Sequence, residues 1–369
     1  MTYAVTIDRS WDDAAPRWRG LLAAPLASPF QGARWLSRWY ESFFGRADIE
    51  PIIVHVADRN GTDVMGLPLI LRHGWLRTIE TADLGITDYN APLLGPAAPL
   101  DEAGARELWQ AVRAALPPAD LIEFSKMMTT IDGRPNPLVL ALGGEASRLF
   151  GNFVRIESDW DTWLSSLGRH NRKELARKWR VFTRDERARF VVAEDRQQAE
   201  RFYDLMSAQQ RERIQSLGLP YLLDAPDYDR FYRELVFDGL EDGSIVLSAL
   251  KAGDEFVAGL LGVAHDDHFA ILRISAASDG RWANCSPGRL VIGRTMQALH
   301  GRGIRTFDFT IGDYAHKRTF GVQRIPLVDI MDGRSWRAWP RLGWGRLRAF
   351  VRRRPMLERL ARKVMRRPA

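Results

Sequence analysis

Cysteine is nearly absent: Cys285 stands alone in the chain. A lone thiol forms no internal disulfide, so the fold must be held by core burial, as suits a reducing compartment. The 7 histidines are scattered, with only His265 and His268 close together. That pattern lacks the ligand spacing of a zinc site, and no metal is expected. No apolar run approaches the roughly 20 residues that cross a bilayer. The opening MTYAVTIDRSWDD does not read as a signal peptide. A cytoplasmic protein is the expectation.

Acids are scarce in one place. From Arg334 onward the chain holds only Glu358 against many arginines, and this tail carries more than the whole net charge of +7. Trp336, Trp339 and Trp344 precede a Leu/Phe/Val/Met pattern among those arginines. Such a basic amphipathic segment fits an anionic membrane surface. Clustered arginines also suit an anionic nucleotide or RNA.

What is present is a globular composition, 46% hydrophobic and 27% charged over 369 residues. That length exceeds what one core usually organises, so two domains are expected. The densest functional signal runs from His268 to Gly321. It holds an apolar strand (Phe269–Ser275), a loop with Arg281, Trp282 and Asn284, and a Ser286-Pro287-Gly288 break. A helix (Arg289–His300) and a second strand (Thr306–Thr310) complete the unit. Strand, small-residue loop and helix start together gather free backbone amides, which suits an anion. Ser286 can cap the helix, Pro287 loses no useful donor, and Gly288 admits close approach. Arg281 and Arg289 add charge for a phosphate. The plainer reading is an ordinary strand-helix-strand unit.

The motif set resembles the acyl-CoA-binding half of a GNAT-fold acyltransferase, and within that the CelD/BcsL-like group related to FemAB transferases. The residues that carry the likeness are SPGRL, FDFTIGD and the Lys317-x-x-Phe320-Gly321 close. It extends upstream through Ser28-Pro29-Phe30-Gln31, Trp35, Trp39, Asp88-Tyr89-Asn90-Ala91-Pro92-Leu93 and the basic run Arg169–Arg180. The usual Gln/Arg-x-x-Gly-x-Gly/Ala loop is missing, and Ser-Pro-Gly stands in its place. The resemblance implies an α/β (α+β) fold of tandem, pseudo-duplicated GNAT-like domains, each a mixed central sheet flanked by helices. It also implies acetyl-CoA or another acyl-CoA as cosubstrate.

The sequence itself repeats. The segments 51–72 and 244–265 are each strand, glycine turn, strand, and each is followed by a helix, a break and an acidic apolar strand. The expected division is therefore 1–150 (acceptor side), 151–333 (acyl-CoA side) and the tail 334–369. Only the second copy keeps Ser-Pro-Gly before its helix.

Acyl transfer from a thioester requires a polarised carbonyl, a neutral nucleophile and a proton for the leaving thiolate. In a GNAT-like arrangement, as the resemblance implies, a backbone amide where the two strands splay would serve the carbonyl, with Ile274 and Ser275 among the expected cofactor contacts. Tyr314 is the candidate general acid because it lies where the resemblance places a tyrosine near the CoA sulfur, against a packing role beside Phe320. Asp308 and Asp313 are candidate bases; Asp308 alternates with Phe307 and Phe309 along its strand, and Asp313 also reads as a turn former. Lys317 is placed on a phosphate of CoA, or else in solvent. Asp88, Tyr89 and Asn90, in a long loop, suit a sugar acceptor or a plain Asx turn. Arg172 and Lys173 are candidates for a phosphorylated acceptor, against a solvated helix face. Cys285 has no histidine nearby in sequence to make it a nucleophile.

The resulting expectation is an N- or O-acyltransferase acting on a sugar or lipid-linked saccharide in exopolysaccharide, cellulose or envelope assembly. Two alternatives stand beside it. One is an aminoacyl-tRNA-dependent transferase of FemAB type. The other is a decayed, membrane- or nucleotide-responsive regulator of polysaccharide synthesis.

Overall fold

The computed structural model describes residues 3–277 and 280–343. In the first half, β1 (Tyr3–Asp8) leads to two short helices, α1 (Trp11–Ala14) and α2 (Arg19–Leu22), then α3 (Ala33–Phe43). The strands β2 (Ile49–Asp58), β3 (Asp63–Arg72) and β4 (Thr78–Thr81), a short β5 (Leu93–Leu94), α4 (Glu102–Ala115) and β6 (Leu121–Met128) follow. A small hairpin, β7 (Thr130–Ile131) and β8 (Arg134–Pro135), then α5 (Pro137–Leu142) and β9 (Glu145–Arg155) complete it. The second half runs α6 (Trp160–Ser166), α7 (Arg169–Phe182), β10 (Ala188–Val192), α8 (Arg196–Ser216) and α9 (Pro226–Gly239). It continues through β11 (Ile245–Ala252), β12 (Glu255–His265), β13 (His268–Ala276), α10 (Pro287–His300), β14 (Thr306–Asp308), α11 (Ala315–Arg318) and β15 (Gln323–Gly333).

The duplication is visible in the pairing. In each half three antiparallel ladders (β1–β2–β3–β4, β10–β11–β12–β13) end on a parallel pair, β4–β6 or β13–β14, bridged by α4 or α10. Parallel neighbours require such a crossover. The halves then share one sheet, because each lends the other its last strand. β9 pairs with β14, β15 pairs with β6, and β9 and β15 pair with each other. The expected boundary at residue 150 therefore falls inside β9.

Burial follows helical spacing on α3, where Trp35, Leu36, Trp39, Tyr40 and Phe43 are buried. They face the second half: Trp35 meets Phe231 edge-on at 5.0 Å, and Phe43 meets Tyr228 at 5.1 Å. One core cluster consequently contains Trp35, Trp39, Tyr89, Tyr203, Phe231 and Leu261, side chains from both halves.

The piece from Asn136 is the short helix α5, because buried Asn136 caps it by accepting from Leu138 N and donates to Met128 O at 2.7 Å. Ser28 caps a 3-10 turn, Pro29–Gln31, followed at Gly32 by α3. The last strand of the repeat stops at Asp308 rather than Thr310, whose φ of 58° lies in the left-handed region. Tail residues Arg334 and Ser335 bond to Asp120, and Arg341 pairs with Glu123 at 2.9 Å. Trp336 and Trp339 are exposed, whereas Trp344 and the rest of the tail lie outside the described residues. No described helix is long and apolar enough to cross a membrane.

Candidate active site

β13 and β14 part early. They pair at His268–Thr306, Phe269–Phe307 and Ala270–Asp308, and β14 ends there while β13 continues to Ala276. Thr310 turns the chain away, and Asn152 of β9 holds that turn by donating to Thr310 O at 2.8 Å and Gly312 O at 2.9 Å. A bulge on β13 sets Arg273 opposite Leu261 and Ile271 opposite Gly262, leaving Leu272 unpaired. From Ile271 onward this edge of β13 has no strand partner in β14. The wedge is the feature that an extended ligand needs in order to lie against a strand.

α10 starts beside the wedge. Ser286 does not cap it: the residue is left-handed at φ 49°, and its Oγ accepts from Lys178 Nζ of α7 instead. The first-turn amides thus lack a side-chain acceptor. Pro287 stands at the first position, and a Cβ on Gly288 would meet only Ala276 Cβ at 3.4 Å. Arg289 Nε and Nη2 are buried and have no hydrogen-bond partner among the described residues. Helix start, Lys178 and Arg289 offer the kinds of donor that an anion takes, and Lys178 also lies 3.5 Å from the Glu174 carboxylate. Arg281 is not among these donors, being paired with Asp185 at 3.0 Å and with Glu255, and laid over Trp282 at 4.3 Å. Arg172 and Lys173 ride on α7, which packs against α10. A concavity of about 430 Å³ lies on that helix, lined by Arg169, His170, Lys173, Glu174 and Arg177. Cys285 is buried, donates to Trp282 O at 3.0 Å, and burial pushes its thiol up, the reverse of an activated nucleophile.

On the opposite face the two halves meet. Tyr89, fully buried, donates to Asp308 Oδ1 at 2.8 Å, and Thr310 N donates to the same oxygen at 2.6 Å. His268 Nε2 stands 3.4 Å from Asp308 Oδ2. Burial raises the Tyr89 hydroxyl well above its ordinary value, and the Asp308 charge adds to this. Asp88, beside Thr310, is pushed up to about 6, chiefly by burial. Lys317 is buried, donates to Thr310 O at 3.1 Å and Ile311 O at 2.6 Å, and is lowered to about 8 by burial. A solvated Lys317 is thereby excluded.

The remaining expected residues divide. Asn90 braces its loop through Asp83 at 2.9 Å and Ser125 O at 2.8 Å, and both donors of its amide are spent there. Asp313 lies in the surface, paired with Arg318 at 3.1 Å and Arg324 at 3.8 Å. Tyr314 is 58% exposed, its ring 5.2 Å from Lys317 Nζ. Phe320 packs on Phe309, their ring centres 5.2 Å apart and tilted by 39°. Ile274 lends its carbonyl to Gln210 at 2.9 Å, and Ser275 Oγ is buried without a partner among the described residues. Asn152 and Arg273 escaped sequence reading because each acts through partners remote in sequence, whereas Lys178 stood there only as one member of the basic run Arg169–Arg180. The single local signal is Gly151 before Asn152, where a Cβ would overlap the Tyr89 hydroxyl.

Residues 169–318 match the family model described as an acetyltransferase (GNAT) domain. No curated protein matches the chain. Among solved structures, FemX aligns with 92% of this chain and 99% of its own, at a TM-score of 0.61 and 12% identity. The C-terminal domain of a putative lysylphosphatidylglycerol synthetase from Agrobacterium fabrum aligns with 87% of this chain and 92% of its own, at 0.52 and 13% identity. A conserved protein of unknown function from Bacteroides thetaiotaomicron aligns at 0.52 and 9% identity, over 89% of this chain and 99% of its own. These likenesses are of fold. The segment that matches the GNAT acetyltransferase model lies within the second half, and the mixed sheet flanked by helices is the fold expected of tandem GNAT-like halves.

Proposed function

We propose that the chain transfers an acyl group from acyl-CoA to an amine or hydroxyl that enters between the halves. The carrying observation is the wedge between β13 and β14, open in front of an uncapped helix start on one face and beside Asp88 and Lys317 on the other. Acyl-CoA, when bound, supplies an activated acyl carbon and a thiolate leaving group. Lys178, the Arg289 side chain, the amide at Gly288 and the basic face of α7 would hold its phosphates. Asp88 is the base in this reading, because a carboxylate near 6 is ionised at neutral pH and close enough to it to accept a proton. Asp308 then keeps Tyr89 and the Thr310 turn in place. Tyr314, exposed beside Lys317, is the proton donor to the departing sulfur.

The finer assignment is a sugar or lipid-linked saccharide acceptor in exopolysaccharide, cellulose or envelope assembly, with the tail apposed to an anionic membrane surface or nucleotide. SPGRL, FDFTIGD and the arginine-rich end support it. An aminoacyl-tRNA donor is the second reading, favoured by the basic concavity on α7. Thermal unfolding with acetyl-CoA, CoA and longer acyl-CoAs decides between them. A ligand at about 100 times its Kd adds about 2.7 kcal/mol to native stability. No rise with any of them, together with a steeply salt-dependent affinity for aminoacyl-tRNA, would transfer the proposal to the second reading.

A further inference from the structure

Arg273 lies on β13 beyond the point where β14 leaves it, on the face covered by α8. It is 7% exposed, and no carboxylate is within ion-pair distance among the described residues. Its Nη2 donates to Ser207 Oγ at 3.1 Å, Gln210 Oε1 at 2.6 Å and Tyr221 Oη at 2.7 Å, and its Nε donates to Gln210 Oε1 at 3.0 Å. The rings of Tyr203 and Tyr232 lie 5.2 and 5.3 Å from the guanidinium carbon. All these neighbours are neutral. Nη1 has no partner, nor has the buried Ser275 Oγ two residues along the same face.

A buried charge left without its opposite is expensive, and proteins ordinarily pair it. Here the guanidinium is held in place by five neutral side chains while one of its nitrogens is left unused. That is how a site looks when the counter-charge arrives with a ligand. The position agrees, because β13 packs against the turn Pro29–Gln31, and Gln31 of that turn donates to Tyr89 O at 3.0 Å, next in the chain to the proposed base.

We propose that Arg273 anchors a carboxylate of the acceptor, so that the substrate of the acyl-transfer reaction is an amine or hydroxyl compound carrying a carboxyl group. One guanidinium balances one carboxylate, and Ser275 Oγ supplies a neutral donor beside it. A phosphate dianion would leave excess negative charge next to Asp88 and Asp308. The proposal rests on the acyl-CoA reading and deepens it.

Product analogues test it without a known acceptor. Binding of N-acetylglycine, N-acetyl-L-alanine and N-acetyl-L-glutamate is compared with that of their primary amides, with acetyl-CoA as control, for the full chain and for Arg273→Gln and Arg273→Lys. The expected acid-over-amide preference is about 10- to 100-fold, the range of a hydrogen bond to a charged group. It is lost in Arg273→Gln and partly kept in Arg273→Lys, while acetyl-CoA affinity stays that of the wild type. Equal binding of acid and amide by the wild type overturns the proposal, as does binding of neither. Preference for an O-phosphorylated amide overturns it also, as does a Gln variant that keeps the preference. Should Arg273→Gln fail to fold, the wild-type comparison and the lysine variant still decide. Loss of acetyl-CoA binding by the wild type itself would instead sink the acyl-CoA reading.

Discussion

Asp88 and Lys317 show how far surroundings move a side chain from its ordinary behaviour. Burial raises Asp88 to about 6, partly offset by the Lys126 charge, and lowers Lys317 to about 8, partly offset by the Asp88 charge. As the base, Asp88 must be ionised, so kcat/KM is expected to fall as pH drops through about 6. Asp88→Asn should lower turnover by about 100- to 10,000-fold and abolish that acid limb. A pH profile unchanged in the variant would remove Asp88 from the chemistry. Stability moves the other way. The folded chain holds the Asp88 proton more tightly than the unfolded chain, so its contribution declines as pH rises from near 3.8 to about 6. The Lys317 proton is held less tightly when folded, so that penalty is present below about 8 and is relieved toward 10.5. Denaturant titrations of wild type and Asp88→Asn at pH 5 and 7.5 read the first of these: the stability difference must change in favour of the variant at the higher pH.

Elements set what the residues can reach. α7 matters to α10 through Lys178, whose ammonium takes the hydroxyl that would otherwise cap the helix. Lys178→Met keeps the buried stem and removes the charge. It should weaken CoA binding about tenfold while largely preserving the fold, measured by calorimetry at low salt. An unaltered affinity would place the phosphates elsewhere. On β9, Gly151 matters for a different reason, since any Cβ there meets the Tyr89 ring and hydroxyl. Gly151→Ala should displace Tyr89 from Asp308 and cost about 1–3 kcal/mol, the penalty of a buried hydrogen bond broken on one side. Native thermal stability within about 0.5 kcal/mol of wild type would contradict this account.

Across the whole molecule the exchanged strands make the halves interdependent. A fragment of residues 156–343 retains the matched GNAT domain but lacks β9, the neighbour of β14, and β6, the neighbour of β15. Two exposed strand edges and an uncovered aromatic core should make it aggregate, by size-exclusion chromatography, whereas residues 1–343 stay monodisperse. A stable, CoA-binding fragment would show that the halves fold separately. Removing residues 344–369 should abolish sedimentation with anionic liposomes and leave acetyl-CoA binding untouched. Retained sedimentation would take the membrane role away from the tail.

The duplicated order of strands and helices, the crossover helix and its Ser-Pro-Gly start were all legible in the chain. Periodicity and turn chemistry act over a few residues, and the aromatic stripe of α3 or the turn at Gly61 speaks through its nearest neighbours alone. The exchange of β9 and β15 was not legible, because a strand carries no mark of which equally apolar edge it will join. Nor was Asp88 as an elevated carboxylate, or Arg273 as a charge without a partner. Both properties come from burial between elements far apart in sequence, and a residue's solvation is decided only when the halves close over it.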